Sequence, residues 1–339
     1  MKTRVLPLLV LAIAWLGFMT GCQTQTKLTR LDDRVRVDLD GQHFTDYVFG
    51  DNASRSYCYP LLAADGTQLA RDFPMQKDNN DDTDHPWHRS LWFAHSMMNN
   101  VDFWNEGAGD AGKSPVFKGH TVVDGAVDTA NGVIHDRNRY LSPDGKLICT
   151  DERTLSFHAD ADGRYIDFDI TLHALSDAPL LMGDNKDGTM ATRVAQWMTM
   201  PHTVNAKDAA GKTIKKETGG TGHIVTAKGI RDAAAWGTRA DWCDYNAVKD
   251  GKTYGIAIFD HPQNLRHPTW WMARDYGLFG ANPFGWHDYE KEFANDPHKG
   301  DYKIPAGGTL TLRYRMFFHL GDEVAAHVAA HYADYAAGK

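Results

Sequence analysis

The sequence predicts a large all-β protein, mainly antiparallel and built as a sandwich or a barrel, with one helix near its C-terminus. Two long runs, 164–172 and 309–318, alternate apolar and polar residues with the period of half-buried strands. Asp-Gly pairs that begin at positions 40, 65, 144, 162 and 250 supply frequent turn signals. Only residues 322–337 have a convincing helical composition.

Shorter alternating runs predict further strands between these turn signals. In chain order they cover residues 34–39, 90–95, 154–158, 192–198 and 254–259. In folds of this class, functional residues usually lie on one concave sheet face or on the loops at its rim.

The N-terminal residues 1–21 resemble a lipoprotein signal peptide. Two basic residues precede an apolar run, 5–19, that is too short to span a bilayer, and the run leads into the lipobox-like sequence Met-Thr-Gly-Cys. We therefore expect cleavage before Cys22 and acylation of that cysteine. Gln23 at the next position indicates the periplasmic face of the outer membrane. An ordinary cleaved signal peptide is the alternative.

After this leader we expect three segments. They are a tether over 22–30, a single β-sandwich domain over 31–321, and a C-terminal helix and tail over 322–339. The formal charge of −8 makes nucleic acid and anionic lipid poor partners, so the lipid anchor is the expected membrane contact. The cysteines of the mature chain allow at most one disulfide, of undetermined pairing; they are Cys58, Cys149 and Cys243.

The stretch 84–95, DHPWHRSLWFAH, places two histidines beside an arginine and two tryptophans. His85 and His88 are compatible with a copper or zinc site, but no HxH or HExxH pattern supplies further ligands. As a general acid and base they suit a pH near neutrality, and Arg89 would favour the neutral imidazole. Both interpretations stay open, so no cofactor is predicted and a metal ion remains possible.

A near echo of this stretch, DHPQNLRHPTWW, occupies 260–271. Pro262, Pro268 and Pro283 restrict the loop, which lowers the entropy cost of holding polar groups in one geometry. Amide and guanidinium groups bond vicinal hydroxyls and indole rings cover the C–H faces of sugars, so this composition favours a polyol ligand. The functional hypothesis assumes that the two histidine motifs meet in space.

Several motifs in order resemble the bacterial PmoA-like family, a domain of unknown function also labelled "methane oxygenase PmoA". They are DHPWHRSLWFAH with VDFW, GDNKDG with Arg193, WGTRADWCDY, and DHPQNLRHPTWW followed by ARDYGLFGANPFG. The resemblance covers roughly residues 73–322 and implies a β-supersandwich similar to galactose mutarotases and polysaccharide lyases. The family commonly has histidine at the position of Trp87 and glutamate at that of Asp187.

The label does not predict an oxygenase. The membrane methane monooxygenase component to which the label refers would need several transmembrane helices. No apolar run of about 20 residues, the length that spans a bilayer, follows the leader of this chain.

Together these observations predict a lipid-anchored periplasmic enzyme that acts on a carbohydrate. A lyase or hydrolase for an oxidised or acidic sugar derivative is preferred, because arginines outnumber carboxylates among the motif residues. The candidate catalytic residues are His85, His88, His261, His267, Lys186 and Asp187. The candidate substrate-binding residues are Arg89, Trp92, Arg193, Asn264, Trp271, Arg274, Tyr276 and Asn282. The alternatives are a non-catalytic carbohydrate-binding lipoprotein and a metal-dependent enzyme.

Overall fold

The computed structural model describes residues 25–50, 54–76, 81–106, 117–207 and 210–338. The predicted signal peptide and the predicted lipidation site, Cys22, lie outside these residues. Within them, no helix combines the length and the apolar character that a membrane crossing requires.

The described residues form mainly strands. In chain order these are β1 (Thr26–Arg30), β2 (Arg34–Leu39), β3 (Gln42–Val48), β4 (Tyr57–Cys58), β5 (Leu91–His95), β6 (Val101–Asp102), β7 (Phe117–Lys118), β8 (His120–Val123), β9 (Val133–Leu141), β10 (Leu147–Ala159), β11 (Gly163–Ala174), β12 (Leu180–Met182), β13 (Gly188–Arg193), β14 (His202–Lys207), β15 (Thr213–Thr218), β16 (His223–Thr226), β17 (Trp242–Lys249), β18 (Lys252–Asp260), β19 (Trp270–Ala273), β20 (Leu278–Asn282), β21 (Tyr302–Ile304) and β22 (Thr309–Leu320). The α-helices are α1 (Trp286–Tyr289) and α2 (Val328–Ala336). Short 3-10 helices cover Ala130–Gly132, Gln196–Met198, Asp232–Ala235 and Lys291–Phe293.

Two eight-stranded antiparallel sheets form the body of the fold. The first has the order β1-β2-β3-β4-β5-β13-β20-β19, and the second has the order β16-β17-β18-β22-β11-β10-β9-β8. Smaller pairs join β12 with β21, β14 with β15, and β6 with β7. This arrangement confirms the large antiparallel β-sandwich with a short C-terminal helix.

The core lies between the two sheets and follows the alternation of the sequence. On β11 the apolar face is buried, as predicted, through Ile166, Phe168, Ile170 and Leu172. On β22 the same is true of Leu310, Leu312, Tyr314, Met316 and Phe318. These side chains belong to one continuous apolar cluster with residues of the first sheet, such as Val35 and Phe44.

Three predicted boundaries differ from the structure. Part of the predicted tether, residues 26–30, is strand β1, which pairs along its whole length with β2. The predicted strand over 192–198 ends at Arg193, because a 3-10 turn closes over Gln196–Met198. The predicted C-terminal helix begins only at Val328 and packs its apolar side on the outer face of the second sheet.

The three cysteines predicted to allow a disulfide are free and buried. Burial raises the pKa of each thiol, that of Cys58 to about 12, so none of them is an activated nucleophile.

The outer face of the first sheet carries a second apolar cluster, rich in aromatic residues. Because side chains alternate across a strand, Trp92 and Ala94 of β5 point to this face while Leu91 and Phe93 point to the core. Loops from both predicted motifs cover part of it, and partly buried aromatic residues pack against it. The candidate site lies here.

Candidate active site

Four rings of the candidate site form one continuous stack that rises from the sheet. The His88 ring stacks on Trp92 of β5 at 5.2 Å, the His85 ring stacks on His88 at 4.7 Å, and Tyr276 stacks on His85 at 5.2 Å between centroids. Trp104 closes the side of the stack, edge-on to His88. The three-residue spacing of the histidines therefore serves ring stacking, and Tyr276 joins the second motif to the first.

Asp84 orients the outer histidine of the stack. Its carboxylate accepts a hydrogen bond from Nδ1 of His85. It also accepts bonds from Nη2 of Arg193 at 2.8 Å and from Nη1 of Arg71 at 2.8 Å. Burial alone would raise the pKa of Asp84, but the hydrogen bond from His85 and the charges of both arginines lower it below its usual range. Nε2 of His85 is left to accept a proton.

His88 is the inner, buried imidazole, with 1% of its surface exposed. Nη1 of Arg193 lies 3.2 Å from Nδ1 of His88. Because a guanidinium can only donate, Nδ1 is the acceptor and the ring is neutral. Burial first, and then the charges of Arg193, His85 and Arg71, lower the pKa of His88 well below its ordinary value. His88 thus supports His85 rather than exchanging protons itself.

The third predicted motif supplies a carboxyl group beside this stack. Burial raises the pKa of Asp187, and the charges of Asp102 and Asp288 raise it further. The charges of Lys186 and His85 act in the opposite direction, but burial is the largest effect. Asp187 directly precedes Gly188, the first residue of β13, and Gly188 pairs with His95 of β5, the strand that carries Trp92 of the stack. A carboxyl group with a raised pKa is suited to donate a proton.

Buried polar side chains fix the turn that carries Lys186 and Asp187 through hydrogen bonds to its backbone. The amide of Asn282 donates to the carbonyl oxygens of Asn185 and Lys186, both at 2.9 Å. The Tyr289 hydroxyl donates to the same Lys186 carbonyl at 3.0 Å. Asn282 is completely buried, so it positions this turn and does not reach a ligand.

Two cationic side chains at the site have no ion-pair partner among the described residues: Lys186 and Arg274. The Arg274 guanidinium lies 4.9 Å from the centroid of the half-buried Trp236. Its charge also acts on Tyr276, whose pKa burial raises to about 12. Two unpaired cations, one of them beside an indole face, suit an anionic ligand with C–H surface.

Other predicted substrate-binding residues have structural roles instead. Arg89 makes a bidentate pair with Glu106, at 2.8 and 2.7 Å, so its guanidinium is already occupied. Trp92 is the innermost ring of the stack and Arg193 lies alongside the stack, and both are buried, at 1% and 0% exposure. Trp271 is fully buried in the core between the sheets, where its Nε1 donates to the Ala240 carbonyl. The structure does not support direct contact of these four residues with a ligand.

The histidines of the second motif lie at another place. His267 donates through Nδ1 to the buried Asp260 at 2.8 Å, and the Asn264 amide donates to the same carboxylate at 2.7 Å. His261 packs edge-on against Tyr335 of α2. Asn264 is buried and also bonds the backbone of Arg313, so this loop is a closed structural unit.

The two histidine motifs therefore do not form one cluster, contrary to the assumption made from the sequence. Strand β19, which spans about 10 Å at about 3.3 Å per residue, separates the loop of the second motif from the residues that follow the motif. His267 precedes this strand, whereas Arg274 and Tyr276 follow it. No contact between described residues joins His261 or His267 to the ring stack, and their predicted catalytic roles have no geometric support.

The structure likewise gives no support to a metal site at His85 and His88. In the described part of the chain, one group of three possible ligands has its ligand atoms within 4.8 Å of one another. It consists of Asp160, Asp162 and His331, at a surface turn and on α2. The Nδ1 atoms of the stacked histidines are instead engaged by Asp84 and Arg193.

Sequence reasoning missed several residues that hold the site. Asp84 stands directly before His85 in the quoted motif, and this adjacency was a usable signal for a carboxylate–imidazole pair. Arg71 and Glu106 belong to no recognised motif and gave no signal. The hairpin of β14 and β15, which borders the site, was also not predicted.

Comparison with known proteins identifies the family of the chain. A model described as a family of unknown function, DUF6807, matches residues 34–333. The chain belongs to this family. No curated protein matches the DUF6807 chain, and its resemblance to the PmoA-like family stays a prediction.

Solved structures similar to this DUF6807 member include galactose mutarotase-like proteins. One from Lactobacillus casei has a TM-score of 0.39 and 8% identity, with 87% of this chain and 100% of that chain covered. One from Clostridium acetobutylicum has a TM-score of 0.37 and 8% identity, with 88% and 99% covered. An α-galactosidase from Lactobacillus brevis has a TM-score of 0.37 and 9% identity over 88% of this chain, which spans 39% of that enzyme.

Proposed function

We propose that this protein is a carbohydrate-active enzyme that works by proton transfer, as a lyase or hydrolase, on a sugar bearing an anionic group. The observation that carries the proposal is the imidazole of His85. Asp84 fixes its Nδ1 proton and its side chain is 38% exposed. Asp187, whose pKa burial raises, directly precedes β13, the strand that pairs with β5 beneath the stack. A base and an acid in one site are what both reactions require.

In the lyase reaction, Nε2 of His85 would take the proton from the carbon next to the sugar carboxylate. Asp187 would give a proton to the leaving glycosidic oxygen as the C–O bond breaks and a C=C bond forms. Lys186 and Arg274 would neutralise the substrate carboxylate and so stabilise the carbanion. In the hydrolase reaction, His85 would instead take its proton from water.

Two half-buried indoles, one at the stack and one beside Arg274, support a sugar over other anionic ligands. Trp87 is half-buried and contacts both His85 and His88 of the stack edge-on, and the half-buried Trp236 lies beside Arg274. Such faces cover the C–H surface of a sugar ring.

The test is an activity screen of the purified mature chain on glycans that contain uronic acids, following the ultraviolet absorbance of an unsaturated product and the release of reducing ends. His85→Gln is expected to reduce kcat by about 10²–10⁴-fold with little change in affinity. His261→Gln is the matched control, because it holds the corresponding place in the second motif and lies outside the site. Sugar binding without turnover, unaffected by His85→Gln, would instead identify a carbohydrate-binding protein.

We further propose that the protein is lipid-anchored at the periplasmic face of the outer membrane. The lipobox-like residues 19–22 and the following Gln23 support this location. Cys22→Ser is expected to move the protein from the membrane fraction to the soluble fraction. Equal recovery of both forms in the soluble fraction would exclude the anchor.

A further inference from the structure

A cleft of about 610 Å³ adjoins the candidate site. Its walls are the loop 81–84, the hairpin of β14 and β15, and the turn at 275–276. Asp84 and Tyr276, which hold His85 on two sides, belong to this lining. The volume lies within the range of about 300–1,000 Å³ that is usual for ligand pockets. The cleft is therefore a continuation of the site, large enough for a second part of a substrate.

The side chains without an ion-pair partner differ between the cleft and the candidate site. Asp82 is matched by His202 at 3.1 Å. Asp81 accepts two backbone N–H bonds, and Asp275 is exposed, but neither forms an ion pair with a described cation. Lys216, on β15, is the one lysine of the lining and also forms no ion pair with a described residue, so two unpaired carboxylates stand against one ammonium group. The open surface of the cleft thus favours a neutral or cationic group, whereas Lys186 and Arg274 favour an anion.

We propose that the cleft is a second sugar subsite that takes a non-acidic sugar unit, neutral or amino-bearing, linked to the acidic unit at His85. The substrate is then a mixed glycan in which acidic and non-acidic sugars are neighbours. A polymer of uronic acid alone would place a carboxylate against Asp81 and Asp275, where the two like charges repel it. This inference rests on the proposed function.

Isothermal titration calorimetry with two disaccharides tests the subsite: a uronic acid linked to a neutral hexose, and a diuronate. Wild type is expected to bind the mixed disaccharide about tenfold more tightly than the diuronate, a difference that one or two like charges at a surface can produce. The difference should shrink at high salt, since the cleft is open to solvent. Equal affinities at low salt would overturn the inference.

Asp275→Asn provides the second test, with Asp296→Asn as its matched control. Both aspartates are exposed, and each accepts a hydrogen bond from a nearby backbone N–H through Oδ1, which asparagine preserves. Asp275→Asn is expected to raise affinity for the diuronate severalfold and to leave that for the mixed disaccharide unchanged, whereas Asp296→Asn changes neither. An unchanged preference in Asp275→Asn would also overturn the inference.

Binding of the uronic acid monosaccharide distinguishes failure of the subsite from failure of the proposed function. If a uronic acid monosaccharide binds in a manner that Arg274→Ala abolishes, but neither disaccharide binds more tightly, the subsite fails while the proposed function stands. If neither the monosaccharide nor the disaccharides bind wild type, the proposed function fails and the subsite fails with it.

Discussion

Replacing Asp84 by asparagine is expected to destabilise the folded protein by about 3 kcal/mol. The Asp84 carboxylate is shared by Arg71 and Arg193, whose side chains are both 0% exposed. Asparagine keeps the shape but removes the charge, so two buried guanidinium groups are left without a counter-ion. The charged form of Arg71 is already disfavoured in the folded protein, because burial and the charge of Arg193 lower its pKa to about 9.

The magnitude follows from how deeply each partner is buried. Breaking a buried ion pair by removing one partner costs about 3–5 kcal/mol. Asp84 itself is 33% exposed, so water replaces part of the lost interaction and the lower end of that range applies. Asp33→Asn is the control, because the Asp33–Arg34 pair is 45% and 37% exposed and such surface pairs contribute about 0–1 kcal/mol.

Urea unfolding at pH 7 measures both variants, with equal m-values required for the comparison. The pH dependence gives a second check. Because the folded pKa of Asp84 is lowered, its contribution is present above the unfolded pKa of about 3.9 and is lost as the pH falls below that value. If Asp84→Asn costs no more than Asp33→Asn, the carboxylate does not hold the buried arginines and the electrostatic account of the site is wrong.

Three further predictions concern buried groups. Burial lowers the pKa of His95 to about 4, so the free energy of unfolding should fall as the pH drops below about 6.5, by about 2 kcal/mol at pH 5. In urea unfolding, His95→Gln should make this loss less steep. An equally steep loss in the variant would contradict the prediction. Arg153→Met leaves the fully buried Asp151 without its ion-pair partner and should lower the free energy of unfolding by about 3–5 kcal/mol in the same assay. Adding Asp151→Leu should restore most of the lost stability. A double variant that is no more stable than the single variant would argue against a buried charge pair. Trp271→Ala should cost about 3–5 kcal/mol without changing sugar affinity, and a loss of affinity at full stability would place this residue in the site after all.

Much of the sandwich was predictable because its strands are long and one-sided. In β11 and β22 every second residue is apolar, and the structure buries those residues. The weaker run at 192–198 was misassigned, because two of its seven residues belong to a strand and three to a 3-10 turn. Alternation over a few residues does not distinguish a strand from a strand followed by a turn.

The site was predictable only where its parts are close in sequence. The motif at 84–95 holds Asp84, His85, His88 and Trp92, and three of the four rings of the stack come from it. The echo at 260–271 indicated a second part of the same site, but the structure makes it a separate loop around Asp260. The two similar motifs have different structural roles, because each Asp-His-Pro turn packs against different neighbouring residues.

The sequence alone determined the strand pattern and the local grouping of rings in the first motif, since each depends on residues a few positions apart. Only the tertiary structure decided which groups meet. Strand β5 lies beside β13, and β13 lies beside β20, so residues about 100 and 190 positions apart, Arg193 and Tyr276, reach the histidines of the first motif. Pairing between distant strands depends on the packing of the whole core, and no local pattern in the sequence encodes it.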